Sequence, residues 1–314
     1  MAQTIQVGDA SITRVVEWSG ALKTVGEILP ESSPEQWRAH RELLAPDFWD
    51  PTTGAYLCHI QTWVVRIAGR TILIDTGVGN DRDRPQIPPF ADLHTDFLDR
   101  LAAVDVFPED VDTVINTHIH YDHVGWNTRL VNGQFVPTFP NASYIVPGAD
   151  YDYFHPDHAE NMRPPETEDE RRRFAGIALV FDDSIRPIEQ AGQLHLWYAD
   201  HHLPGVPMSL ESTPGHTVGS STVMLEQGAG ALFVGDLLHS PLQILYPDLR
   251  CSFDLRPTQA RATRKRILAR AAATGALILP AHFGGHSAVT VTAEADTELV
   301  VHQWADFPRK QPSR

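Results

Sequence analysis

A chain of 314 residues, 42% hydrophobic and 21% charged, can bury a sizeable core and is neither a disordered nor a low-complexity polymer. Its formal charge of −15 repels a phosphate backbone, which excludes general nucleic-acid binding. No apolar run approaches the ~18 residues of a membrane span, and no basic-then-apolar leader opens the chain, so no membrane association and a cytoplasmic location are expected. Cys58 and Cys251 are then expected as free thiols.

Along the chain, residues 30–53 are rich in Pro, Trp and charge, and the stretch up to about residue 55 reads as an irregular N-terminal arm. An apolar, β-branched run at 63–67, a turn at 68–70 and a second apolar run at 71–77 predict a strand pair that stops at Gly77. The prolines of 80–92 predict a loop. Leu93, Phe97, Leu98, Leu101 and Ala102 recur at helical spacing. A strand at 111–117 runs into a histidine cluster. Further short strands are predicted at 143–146, 193–199, 220–226, 231–236 and 276–282, and a helix over 258–274 lies between Pro257 and Gly275. Residues 151–185 are polar and Pro-interrupted, with a short helix at 170–174, and read as an insertion between two halves. The alternation of strands and helices predicts an α/β layered fold, organised as a single domain over 1–314.

The chemistry concentrates in Asn116-Thr117-His118-Ile119-His120-Tyr121-Asp122-His123. His118 and His120 lie two apart, so an extended backbone points both rings to one side. Asp122 and His123 follow where the strand gives way to a loop. Imidazole and carboxylate together suit zinc, iron or manganese. Three later segments each offer one more donor at a strand end or glycine turn: His216 after Gly215, Asp236 after Gly235, and His282 after Ala281.

The motif His118-x-His120-x-Asp122-His123, followed by the Gly-His turn, the Gly-Asp strand end and the late histidine, resembles the metallo-β-lactamase superfamily over roughly residues 55–290. The resemblance implies an αββα sandwich with metals at the shared edge of two β-rich halves. It implies that His118, His120 and His216 hold one metal, that Asp122, His123 and His282 hold a second, and that Asp236 bridges them. Two divalent ions are therefore expected, zinc foremost, with manganese, cobalt or iron compatible with the same ligands. Asp75 matches a position that orients the ligand loop.

Two close cations can share a hydroxide and polarise a scissile carbonyl, so a metal-dependent hydrolase acting on a small-molecule lactone or ester is expected. An Asp at position 236 sets the chain apart from the antibiotic-cleaving members. The N-terminal arm, the insertion and residues 235–243 look like the quorum-quenching lactonase and methyl-parathion-hydrolase-like branch, which leaves phosphotriester or aryl-ester hydrolysis as the alternative. His239 lies three residues after Asp236, where those lactonases carry a substrate-contacting Tyr; with Asp122 it is the candidate catalytic residue, its rival reading being a solvent-facing loop histidine. Trp63, Phe154 and the 151–185 segment are candidates for shaping the pocket, whereas His201, His202 and His286 read as turn or surface residues. A mononuclear-iron enzyme like the persulfide dioxygenases is the rival redox reading, disfavoured because all seven ligand positions are filled. The assembly is left open between a monomer and a homodimer.

Overall fold

In the computed structural model, which describes residues 4–161, 164–294 and 298–307, the chain forms two mixed β-sheets packed face to face. The first sheet contains β1 (Thr4–Val7), β2 (Ala10–Thr24), β3 (Trp49–Asp50), β4 (Ala55–Ile67), β5 (Arg70–Ile74) and β6 (Thr113–Ile115). A separate hairpin, β7 (Thr128–Val131) and β8 (Gln134–Pro137), interrupts it before β9 (Ser143–Pro147) and β10 (Leu194–Trp197) complete the sheet. The second sheet runs in chain order through β11 (His201–His202), β12 (Met208–Ser212), β13 (Ser221–Leu225), β14 (Ala231–Gly235), β15 (Leu277–Pro280), β16 (Val289–Glu294) and β17 (Glu298–Trp304).

Strand periodicity explains the layering. In β4, β5 and β6, Val65, Ile74 and Ile115 face the second sheet and meet Leu210, Val223, Phe233 and Leu279. Their neighbours Val64, Leu73 and Val114 point the other way and are covered by Phe97 and Leu101 of the helix Phe97–Ala102. On the far side, Leu232, Val234 and Ile278 are covered by Ile267, Leu268 and Ala271 of the helix Pro257–Thr274. Each such fully buried aliphatic side chain contributes about 1.5–3 kcal/mol. That helix starts with Pro257 in its first turn and stops at Gly275, which adopts φ 71°. The αββα sandwich is present.

Residues up to about 55 do not form an arm, which corrects the sequence reading. β2 pairs with β4 along almost its whole length, from Ser11–Arg66 to Thr24–Ala55. Its pattern was hidden by Arg14 and Glu17, both buried and both satisfied by distant partners: Arg14 donates to the Gly285 carbonyl, and Glu17 accepts from the Val78 and Gly79 amides. Between residues 151 and 185 the chain is largely helical, with the helix Glu168–Val180 running into a π-turn, Phe181–Ile185. Among the described residues no helix is long and apolar enough to cross a membrane.

Candidate metal centre

Parallel pairing brings the ends of β5 and β6 together in one sheet and the ends of β14 and β15 together in the other. The loops leaving these four ends meet along one edge of the sandwich. Asp75, at the end of β5 with φ 56°, accepts from the Thr117 amide at 2.7 Å and from its hydroxyl at 2.9 Å. Gly235 has φ 50°, and a Cβ there would meet Thr117 Oγ1 at 2.6 Å, so only glycine lets β14 deliver Asp236 this close to the histidine loop.

All seven predicted donors converge and are largely buried; His120 is the most open of them. His120 Nδ1 lies 3.0 Å from His118 Nε2 and 3.1 Å from His216 Nε2. Asp236 divides its two oxygens. Oδ2 faces His216 Nε2 at 3.1 Å and His118 Nε2 at 3.9 Å; Oδ1 faces His282 Nε2 at 2.8 Å and His123 Nε2 at 3.1 Å. Asp122 completes the second group, 3.5 Å from His282 Nε2 and 3.8 Å from His123 Nε2.

This donor set fits a divalent cation. Protons cannot satisfy three ring nitrogens that face one point, because two lone pairs or two N–H groups then oppose each other. Tetrahedral ligands at about 2.0–2.1 Å from zinc stand ~3.3 Å apart, close to the spacings seen here. His123 Nε2 and Asp236 Oδ1 are both buried without a hydrogen-bond partner; although 3.1 Å apart, they are not aligned for one. Burial opposes a charge on His216, but Asp236 and Asp254 outweigh it and raise the ring to about 9 in the metal-free chain. Burial likewise opposes ionisation of Asp236, and His282, His123, His239 and His216 together outweigh it and hold the carboxyl well below the usual range. An incoming cation thus finds the carboxylate ready and displaces protons from imidazole.

Four of the rings are fixed from behind through Nδ1. His123 faces Asp75 Oδ2 at 2.8 Å, His216 faces Asp254 Oδ1 at 3.2 Å, and His282 donates to the His59 carbonyl at 2.9 Å. His118 faces Thr117 Oγ1 at 3.1 Å; because that hydroxyl donates to Asp75, it accepts from His118. Each arrangement leaves the Nε2 lone pair pointing inward.

The chain matches the metallo-beta-lactamase superfamily over residues 55–282. It belongs to that superfamily. A hydrolase described as AbOPH, in the beta lactamase superfamily, superposes with a TM-score of 0.78 at 23% identity, covering 99% of this chain and 98% of that one. AidC, a dizinc quorum-quenching lactonase solved with a product, superposes with a TM-score of 0.73 at 18% identity, again over 99% and 98%. A probable metallo-hydrolase of Methanocaldococcus jannaschii is 24% identical over 94 residues, which is 30% of this chain. The match spans 44% of that relative's length.

The remaining candidates separate. His239 is buried, not solvent-facing, and its Nε2 lies 3.2 Å from Asp236 Oδ2. Phe154 lines the pocket that opens onto the cluster, as do Phe174, Ile177 and Val180 from the helix Glu168–Val180. Trp63 does not: it is buried between the sheets against Phe233 and Phe307, which corrects its candidacy. His201 and His202 sit on the edge strand β11, and His286 Nδ1 is engaged by the Phe307 carbonyl. Cys58 and Cys251 are free and buried.

Two acids of this superfamily member escaped sequence reasoning. Asp254 backs His216. Asp150 accepts from the Ile119 amide at 3.0 Å, the Thr217 hydroxyl at 2.8 Å and the Gly219 amide at 2.6 Å. It thereby clips the His118–His120 loop to the His216 loop. Neither acid sits in a motif, and only the three-dimensional approach of its partners reveals it.

Proposed function

We propose that this chain is a binuclear metal-dependent hydrolase of neutral lactones or carboxylic esters, with zinc as its metal. The observation that carries this reading is the division of Asp236, whose two oxygens serve two separate donor groups. The completeness of the second group, Asp122, His123 and His282, weighs against a single-iron redox enzyme. When bound, the cations supply an acidified water and an electrophile for the substrate carbonyl oxygen.

The chain's own residues supply the rest. Asp75, Asp254 and Thr117 hold the rings in place, so nothing must reorganise during the reaction. His239 differs from the four rings fixed from behind: its Nδ1 is buried without a partner. An unpaired acceptor nitrogen costs less there than an unpaired N–H, which places the proton on Nε2, facing the cluster. Burial, outweighing Asp236, keeps this ring neutral. His239 Nε2–H thus meets Asp236 Oδ2, 3.2 Å away, beside the place where an oxygen gains negative charge, although His239 also stands with Asp236 and His282 in a group that could hold a cation. Asp122 both joins the second group and lines the pocket, where it can take a proton from the attacking water and return it to the leaving oxygen.

The pocket walls favour neutral, apolar substrates. Leu22, Ile28, Ile87, Phe154 and Phe253 line it, and no Lys or Arg does among the described residues. The test joins metal content by mass spectrometry to a hydrolysis screen over lactones, aryl esters, phosphotriesters and thioesters. Two metals per chain with turnover of a lactone or ester supports the reading. One iron per chain with oxygen consumption overturns it, and phosphotriester turnover alone moves the substrate to the alternative.

A further inference from the structure

The helix Glu168–Val180 turns Phe174, Ile177 and Val180 onto the pocket wall above the cluster. Its hold is at its C-terminal end. There the chain makes the π-turn Phe181–Ile185, a feature that often marks functional positions, and Asp183 lies buried in it. Arg84 donates to both carboxylate oxygens of Asp183, at 2.7 and 2.9 Å. Arg82 donates to the Asp183 carbonyl at 3.0 Å, and to the Gly125 carbonyl at 2.6 Å, two residues past His123. Both guanidiniums are wholly buried. The helix also lies close against the loop that carries these arginines: a Cβ on Gly176 would meet the Gln86 side chain at 2.3 Å.

A buried ion pair stabilises a fold poorly but can hold two elements in one arrangement. Here Arg84 fastens the π-turn below the pocket cover to the loop of residues 80–92, and Arg82, 3.3 Å from the Asp183 carboxylate, joins it to Gly125 beside Asp122 and His123. We propose that Asp183 is a positioning residue: clamped by Arg82 and Arg84, it sets the distance of the helix Glu168–Val180 from the cluster and so selects substrates by their apolar arm. This rests on the hydrolase reading above. Asp183 is in contact with none of the seven metal-ligand candidates, and the bonds of Arg82 to the Gly125 and Thr128 carbonyls do not involve it.

The experiment compares Asp183→Asn, which keeps shape and removes charge, with Arg84→Lys, which keeps charge and removes the paired hydrogen bond. Asp183→Asn is expected to raise KM for p-nitrophenyl decanoate about tenfold, while kcat for that ester and KM for p-nitrophenyl acetate stay within about twofold. Amide exchange over residues 168–185 should quicken while the sheets stay protected, and metal content should not change. Arg84→Lys should move the same quantities in the same direction by less, and it carries the test if Asp183→Asn does not fold. Equal losses on both esters, exchange that rises throughout the sandwich, or no change in either reading would overturn the proposal. If the wild type hydrolyses neither ester, that outcome bears on the substrate of the hydrolase reading and not on the positioning role. Exchange and the binding of N-phenyl-1-naphthylamine then decide: dye affinity about tenfold weaker in Asp183→Asn supports the positioning role, and unchanged affinity and exchange sink it.

Discussion

Asp254 Oδ1 stands 3.2 Å from His216 Nδ1, with both side chains buried. The carboxylate is itself held: its other oxygen accepts from the Cys251 amide at 2.9 Å and lies 3.7 Å from Arg264 Nη2. This chain of contacts fixes the tautomer that turns the lone pair of His216 Nε2 toward His120 and Asp236. Asp254→Ala should therefore weaken metal binding by about 10–100-fold, the usual effect of losing such a support. Competition against a chelator measures it, and wild-type affinity in the variant would show that His216 is oriented by something else.

His239 gives a sharper pattern. As an N–H donor to the developing oxyanion, its replacement in His239→Ala should lower kcat/KM by about 10²–10³-fold with metal content unchanged. His239→Tyr should retain part of the activity, because a phenol can donate from the same place. Steady-state kinetics with metal occupancy measured in each variant separates the cases. Loss of activity in step with loss of metal would make His239 a support for the ligands instead.

Asp150 predicts a pH dependence of stability. Burial pushes its carboxyl up to about 6, against the pull of the donors from Ile119, Thr217 and Gly219. A carboxyl raised on folding binds its proton more tightly in the native state. Its contribution is full below the unfolded value near 3.8 and is lost as the pH rises through about 6. The stability of the wild type relative to Asp150→Asn should thus fall by about 2 kcal/mol between about pH 4 and pH 7. Denaturant titrations of the metal-free proteins at the two pH values test this; a constant difference would mean that the carboxyl keeps an ordinary value in the fold.

The metal cluster could be read from sequence because four of its donors lie within six residues and the other three each follow a glycine or alanine at a strand end. Short continuous apolar, β-branched runs such as 63–67 and 71–74 likewise announce their strands. β2 could not be read this way. Its Arg14 and Glu17 look like solvent-facing charges, and their partners at Gly285 and Val78 lie 271 and 61 residues away. Asp254, Asp150 and Asp183 were invisible for the same reason: an acid in a loop or a helix has no spacing that separates a buried support for a neighbouring element from a surface residue. The helix Glu168–Val180 opens with a polar run and therefore resembles an exposed segment, although Phe174, Ile177 and Val180 face the pocket.

The proposed binuclear centre depends on Asp236 bridging its two donor groups. The most direct measurement is the metal content of the purified wild type and of Asp236→Ala, reconstituted with zinc under the same conditions and assayed on the best substrate. Two metals per chain are expected in the wild type, with one or none retained in the variant and its hydrolysis abolished. Two metals per chain and full activity in Asp236→Ala would contradict the proposed binuclear centre.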